Sequence, residues 1–234
     1  MTGFEKVNGK VVKTDVSRGP VLARRGAMLA YTGDVRFMPA GGGMPGGGMG
    51  GMGGMGGGLG GMMGGMMGAA GRAMAGEHVS MMAAEGRGEV WYGFRGSNVT
   101  VIPLNGADML QVEADRLLAH DANMQSSVVF IGSGGVKQAI RGAISGQGMA
   151  TTQISGMGSV AVLSHGGTIE IQVQPGQTVG VDPQAYVAAL GNLTIDVAAS
   201  VGWRDAVGKG SGEAIQLKVT GQGRIYVQAS EQKF

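Results

Sequence analysis

The sequence predicts an all-β fold: a three-repeat, pseudo-trimeric β-prism or barrel-like domain with Gly-rich loops and one long Gly/Met-rich insert. Three observations predict it. Apolar residues recur with period two, most clearly in 169–173 (IEIQV) and 215–219 (IQLKV), as in strands whose successive side chains face opposite sides of a sheet. Glycine accounts for 49 of 234 residues, far above ordinary usage, and outside one segment it is scattered at turn-like positions. Finally, related segments return three times along the chain, the mark of a repeat architecture.

The elements follow in chain order. Residues 4–16, FEKVNGKVVKTDV, read as a hairpin. Asn8-Gly9 accepts positive φ at both central turn positions, and apolar residues alternate on either side. Beyond it, 28–35 (MLAYTGDV), 117–124 (LLAHDANM) and 186–193 (YVAALGNL) share one pattern. An apolar strand enters a small-residue turn, passes Asp or Asn, and continues as the next strand; Asp and Asn suit such turns because their side chains bond nearby backbone.

A second set closes each copy: Gly86-Arg87-Gly88-Glu89-Val90-Trp91-Tyr92, Gly156-Met157-Gly158-Ser159-Val160-Ala161-Val162 and Gly221-Gln222-Gly223-Arg224-Ile225-Tyr226-Val227. Each reads as a Gly-x-Gly turn leading into a strand. The spacing from the shared alanine to this turn is 37 residues from Ala119 to Gly156, 33 from Ala188 to Gly221, and 56 from Ala30 to Gly86. The surplus in the first copy coincides with residues 41–68, which hold 18 glycines, 8 methionines, Pro45 and Leu59. Glycine at that density loses too much backbone entropy to form a regular strand or helix, so 41–68 reads as an expanded, flexible version of a loop present in all copies. The organisation expected is one domain, 1–234, with repeats 16–93, 100–164 and 168–228.

The ordered set of three β repeats, each with a Gly-rich loop and a closing G-x-G-x-[VI]-[WAY]-[VY] strand, resembles the altered-inheritance-of-mitochondria protein 24 family. Gly26-Ala27-Met28-Leu29-Ala30 is similar to its first-repeat motif, and Gly176-Gln177 to its third-repeat turn. The resemblance spans about residues 16–230 and departs from the family pattern mainly in the long insert. It implies a β-prism-like pseudo-trimer related in fold to the tryptophan RNA-binding attenuator protein. It also implies association of the mitochondrial member with inner-membrane organisation, and no agreed catalytic residues.

Composition narrows function. The chain has no cysteine, which removes disulfides, thiolate metal sites and cysteine nucleophiles. The formal charge is only +2, with 15% charged residues and Lys and Arg dispersed, unlike the dense basic stripe of a phosphate-reading protein. No apolar run is long enough to span a bilayer, and residues 1–16 lack the apolar core of a secretory signal. The expectation is a cytoplasmic protein, peripheral to a membrane at most.

Reactive motifs are weak. His78, His120 and His165 fall in no metal-ligand spacing. The pair His120-Asp121 reads as a solvated turn, and His165 before Gly166-Gly167 as a hairpin turn. Gly132-Ser133-Gly134-Gly135 lacks the strand–elbow–helix setting of a nucleophile. No cofactor, metal or enzymatic activity is expected.

The expected function is a non-enzymatic scaffold or binding protein acting through clustered apolar loops. The counterparts of the insert, 132–148 and 200–212, are also Gly-rich and apolar; 136–144 reads as one or two helical turns. A pseudo-threefold axis would gather the three loops at one end. Candidate contact residues are Met62, Met63, Met66, Met67, Val136, Ile140 and Trp203, since flexible thioethers adapt to apolar partners. Lys137, Arg141, Arg204 and Lys209 flank these positions, which suits anionic head groups. Such a patch closes a homo-oligomer or docks on a membrane surface or protein partner; alternatively these side chains fold back on their own core. Two other readings stand beside it: single-stranded RNA binding by fold analogy, disfavoured by 5% aromatic content, and Cu(I) held by the insert's soft thioethers.

Overall fold

The computed structural model describes residues 3–40, 79–131, 150–199 and 215–231. Fifteen strands and two short 3₁₀ turns make up its regular structure. In chain order the strands are β1 (Glu5–Asn8), β2 (Val11–Asp15), β3 (Val21–Arg24), β4 (Met28–Tyr31), β5 (Asp34–Pro39), β6 (Met81–Arg87), β7 (Glu89–Tyr92) and β8 (Asn98–Glu113). They continue as β9 (Leu117–Asp121), β10 (Gln125–Phe130), β11 (Ala150–Ser164), β12 (Thr168–Val173), β13 (Val179–Val181), β14 (Tyr186–Ala199) and β15 (Ile215–Gln228). All pairing is antiparallel. The chain is thus all-β, as the period-two pattern predicts.

The expected barrel-like closure does not form. One sheet runs β1-β2-β7-β4; the other runs β12-β15-β14-β8-β11-β9-β3-β6-β5, with β10 added on β11 and β13 on β15. Both paths are open among the described residues. Long strands account for the larger sheet. β8 stays paired with β11, and β14 with β15, along nearly their whole lengths, while the neighbour on the other side differs between the two halves.

The same registers recur three times. Ala30 faces Trp91, Ala119 faces Ala161 and Ala188 faces Tyr226, in each case the residue three beyond the second glycine of the Gly-x-Gly pair. The pairing skips one residue just before each of these alanines, at Leu29, Leu118 and Val187, the signature of a β-bulge. Farther out, Val21 faces Ala84, Leu110 faces Ile154 and Val179 faces Val219, each partner two residues before the first glycine of the pair. Val12, Thr100 and Ile169 face Tyr92, Val162 and Val227. The strand at the start of the first set is therefore β2, upstream of the boundary at residue 16 that sequence spacing suggests.

Two features read as turns are bends inside continuous strands. Gly156-Met157-Gly158 lies within β11 and Gly221-Gln222-Gly223 within β15, whereas β6 and β7 separate at Gly88. Similarly, Gly191 sits mid-strand in β14 with φ +109°, still opposite Gly223. A glycine at positive φ lets a strand turn the corner between two pairings without losing its ladder. The N-terminal hairpin forms as expected, but its turn is Gly9-Lys10, with Asn8 paired to Val11. Asn8 keeps a non-helical strand conformation, and its side-chain Oδ1 accepts the Lys10 N–H at 2.7 Å.

The core comprises three clusters in succession. The first centres on Val12, Val21, Val90 and Tyr92, joined by Leu118, Ala119, Ala161 and Leu163 from β9 and β11. Leu117, Val160 and Val162, which alternate with those residues, belong to the second cluster with Val187, Leu190 and Tyr226. The third holds Tyr186, Ala189, Leu217, Val219 and Ile225. Thus β9 and the second half of β11 are buried on both faces, which explains their near-continuous apolar sequence. Full burial of a side chain such as Leu118 contributes about 2 kcal/mol.

Candidate interaction site

The contact residues proposed from sequence, Met62, Met63, Met66, Met67, Val136, Ile140 and Trp203, lie outside the described residues. So do His78 and the 136–144 stretch. The flanking strands are placed: Pro39 pairs with Met82, Phe130 with Ala150 and Ala199 with Ile215. Each of the three Gly-rich segments therefore joins the two arms of a hairpin, at the corresponding place in each set of strands.

His120 and Asp121 are not a solvated turn. They end β9, both 2% exposed, and the turn follows at Ala122-Asn123. The His120 Nδ1 lies 2.9 Å from the Asp121 carbonyl oxygen, while Asp121 Oδ2 accepts the Ser159 N–H at 2.9 Å. Burial holds the imidazole below its ordinary pKa, since it removes water from the charged form. A neutral ring between Leu22 and Val160 is a core residue. His165 occupies the turn between β11 and β12, its N–H donating to Gln228 Oε1 at 2.9 Å. Among the described residues no group of three His, Asp or Glu side chains is arranged to hold a metal ion.

Two arginines join successive strand sets. Arg24, at the end of β3, donates to the Asp115 carbonyl across the chain and lies 4.4 Å above the Phe94 ring. Arg116, 1% exposed, donates to the Gln184 carbonyl at 2.7 Å and to Gln228 Oε1, and its Nε stands 3.5 Å from Glu113 Oε2. Each guanidinium reaches the turn that precedes the next copy of the shared apolar strand. The planar fork suits such bridging because several donors act at once.

An apolar surface that breaks the pattern is on β4. Its four residues, Met28, Leu29, Ala30 and Tyr31, are all exposed. The corresponding residues of β9 and of the first half of β14 are all buried. Among the described residues β4 pairs only with β7, so its outer edge is open, whereas β9 lies between β11 and β3, and β14 between β15 and β8. Tyr31 stacks edge-on against Phe37 with ring centroids 5.4 Å apart. Beside Leu29 runs a shallow groove floored by Gly93 and Phe94 and rimmed by Lys10 and Arg95. Sequence reasoning missed this edge, although the signal is legible: the first copy retains large apolar side chains at positions its relatives bury.

Antiparallel strands in open sheets, with an apolar edge left open on β4, define the class of an all-β protein. The chain belongs to the family described as Mitochondrial biogenesis AIM24, which matches residues 4–230. In fold it is similar to the crystal structure of protein SPYM3_0169 from Streptococcus pyogenes, with a TM-score of 0.68 and 19% sequence identity over 98% of this chain and 93% of that one. No curated protein matches it. No helix among the described residues is long and apolar enough to cross a membrane.

Proposed function

We propose that the chain is a scaffold of three like β units that acts by binding and self-association, without catalysis. The observation that supports this most is the exposed β4 edge, with Met28, Leu29 and Tyr31 between 42% and 56% exposed. Open apolar strand edges invite pairing with another chain, and natural proteins usually blunt or cover them. This one carries no charge along its four residues. The other apolar candidates, the loops that carry Met62, Met63, Met66, Met67, Val136, Ile140 and Trp203, remain part of the proposal as a docking surface for a membrane or a protein partner. Single-stranded RNA binding has less support, because stacking needs several exposed aromatics and Tyr31 is the only aromatic among the exposed large apolar residues described. Membership of a mitochondrial-biogenesis family fits a surface-presenting role.

Light scattering across a concentration series, with and without anionic lipid vesicles, tests the reading. The expected mass exceeds the 23.6 kDa of one chain and rises with concentration. A mass of one chain at every concentration, together with no vesicle binding, overturns it.

A further inference from the structure

We infer that the open edge of β4 takes the open edge of β13 from a second copy of this chain. The two pair antiparallel, with Val179 opposite Thr32, Gly180 opposite Tyr31 and Val181 opposite Ala30. The inference rests on the reading of three like units and deepens it by naming the partner and the register.

The chain already makes this seam twice. β3 pairs with β9 as Val21–Asp121, Leu22–His120 and Ala23–Ala119. The second half of β8 pairs with β14 as Leu110–Leu190, Gln111–Ala189 and Val112–Ala188. β3, this half of β8 and β13 are counterparts, because each pairs on its other side two residues before a Gly-x-Gly glycine, through Val21–Ala84, Leu110–Ile154 and Val179–Val219. β4, β9 and the first half of β14 are counterparts through their shared bulge and alanine. A third seam of the same kind would join β13 to β4, yet among the described residues β13 pairs only with β15 and β4 only with β7.

Exposure shows what the missing seam leaves uncovered. Met28, Leu29 and Tyr31 are 42%, 56% and 49% exposed; Leu117, Leu118 and His120 are 4%, 0% and 2%, and Tyr186, Val187 and Ala189 are 0%, 0% and 3%. Three other free edges do not carry this contrast. β5, β10 and the second half of β14 each pair on one side only, so an open edge there is common to all three units. β12 is also open where its counterpart β2 is covered by β1, and Ile169 is 55% exposed against 0% for Val12. No free counterpart of β1 is present to cover it among the described residues, whereas at the seam between β13 and β4 both strands are present.

A second copy fits better than the chain's own β13. The first core cluster contains β4's partner strand and the third contains β13, and the two share no residue. β9 with the second half of β11 divides its residues between the first and second clusters, and the first half of β14 divides its own between the second and third. One copy therefore presents the two halves of a seam on different units, which makes a heterologous contact. Such contacts close into a ring or run on as a filament.

The chain has no cysteine, so introduced thiols report the register cleanly. The Thr32 N–H is bonded to Glu89 on β7 at 2.9 Å, so Thr32 and Val179 would form a non-hydrogen-bonded pair. Directly opposed residues of that kind have Cα atoms about 4.5 Å apart, within disulfide reach. Under mild oxidation, an equimolar mixture of the Thr32→Cys and Val179→Cys proteins should give a covalent dimer linking the two peptides. Neither protein alone should do so, and the double variant should give a ladder. Leu29→Lys, on the exposed bulge, should lower the cross-link yield severalfold while leaving the far-ultraviolet circular dichroism unchanged. Cross-linking within single chains of the double variant, or an undiminished yield with Leu29→Lys, overturns the inference. Assembly by light scattering without the cross-link overturns this seam but leaves self-association standing; one-chain mass throughout overturns both.

Discussion

Replacing Gly221 with alanine should destabilise the protein by about 3 kcal/mol or more, while Gly156→Ala should cost only about 1–2 kcal/mol. The two glycines hold the same place in their Gly-x-Gly pairs and nearly the same φ, +115° and +118°, so the conformational penalty for a side chain is shared. They differ in what a Cβ meets. At Gly221 it falls 2.3 Å from the Asn192 carbonyl oxygen, whereas at Gly156 its nearest neighbour is 3.5 Å away, at Met124 Cα. Asn192 pairs next to Leu193–Gly221, so relieving that clash displaces the β14–β15 ladder itself. Urea denaturation of both variants measures the difference; equal losses would show that backbone conformation alone, and not the close approach of strands, requires glycine here.

Arg116→Ala should cost about 3–5 kcal/mol. The guanidinium is buried, and its removal takes a charged donor from Glu113, Gln228 and the Gln184 carbonyl where water does not easily replace it. Desolvation lowers the Arg116 pKa, with Glu113 and Asp115 opposing it in part. Arg116→Lys should recover little, because a compact ammonium cannot serve Gln184, Gln228 and Glu113 together. The loss should appear as a lower thermal midpoint with a single transition, since the arginine joins two successive strand sets. A loss below about 1 kcal/mol would place it with ordinary surface pairs.

Much of the fold is legible in the residues. Alternation in 215–219 marks a strand because Leu217 and Val219 face the core and Lys218 faces outward; in 169–173 the strand forms, but only Val173 is buried and Ile169 is exposed. The alignment on Ala30, Ala119 and Ala188 falls where three equivalent registers meet. Other features are hidden for physical reasons. Gly-x-Gly has the composition of a turn, but at Gly158 and Gly223 it bends a strand whose partner carbonyls or side chains fill the space a Cβ needs; sequence alone does not report what approaches a glycine. His120 reads as polar and therefore solvated, yet the neighbouring β3 buries it. β2 escaped assignment to the first repeat because the Asn8-Gly9 signal drew it into a separate hairpin. The candidate site was the least legible. Methionine and tryptophan directed attention to the loops, while the exposure of Leu29 depends on which strand is missing beside β4, a property of topology and not of local composition.

Residue-resolved hydrogen exchange at low and high protein concentration tests the stitched-unit scaffold most directly. Backbone amides alternate in direction along a strand, and Thr32 points to β7, so the Tyr31 amide faces the open edge. Its protection, with that of Gly180, is predicted to rise together with the assembled mass, while Ala119 and Ala188 stay protected throughout. Exchange at Tyr31 and Gly180 that stays fast in the assembled protein would contradict it.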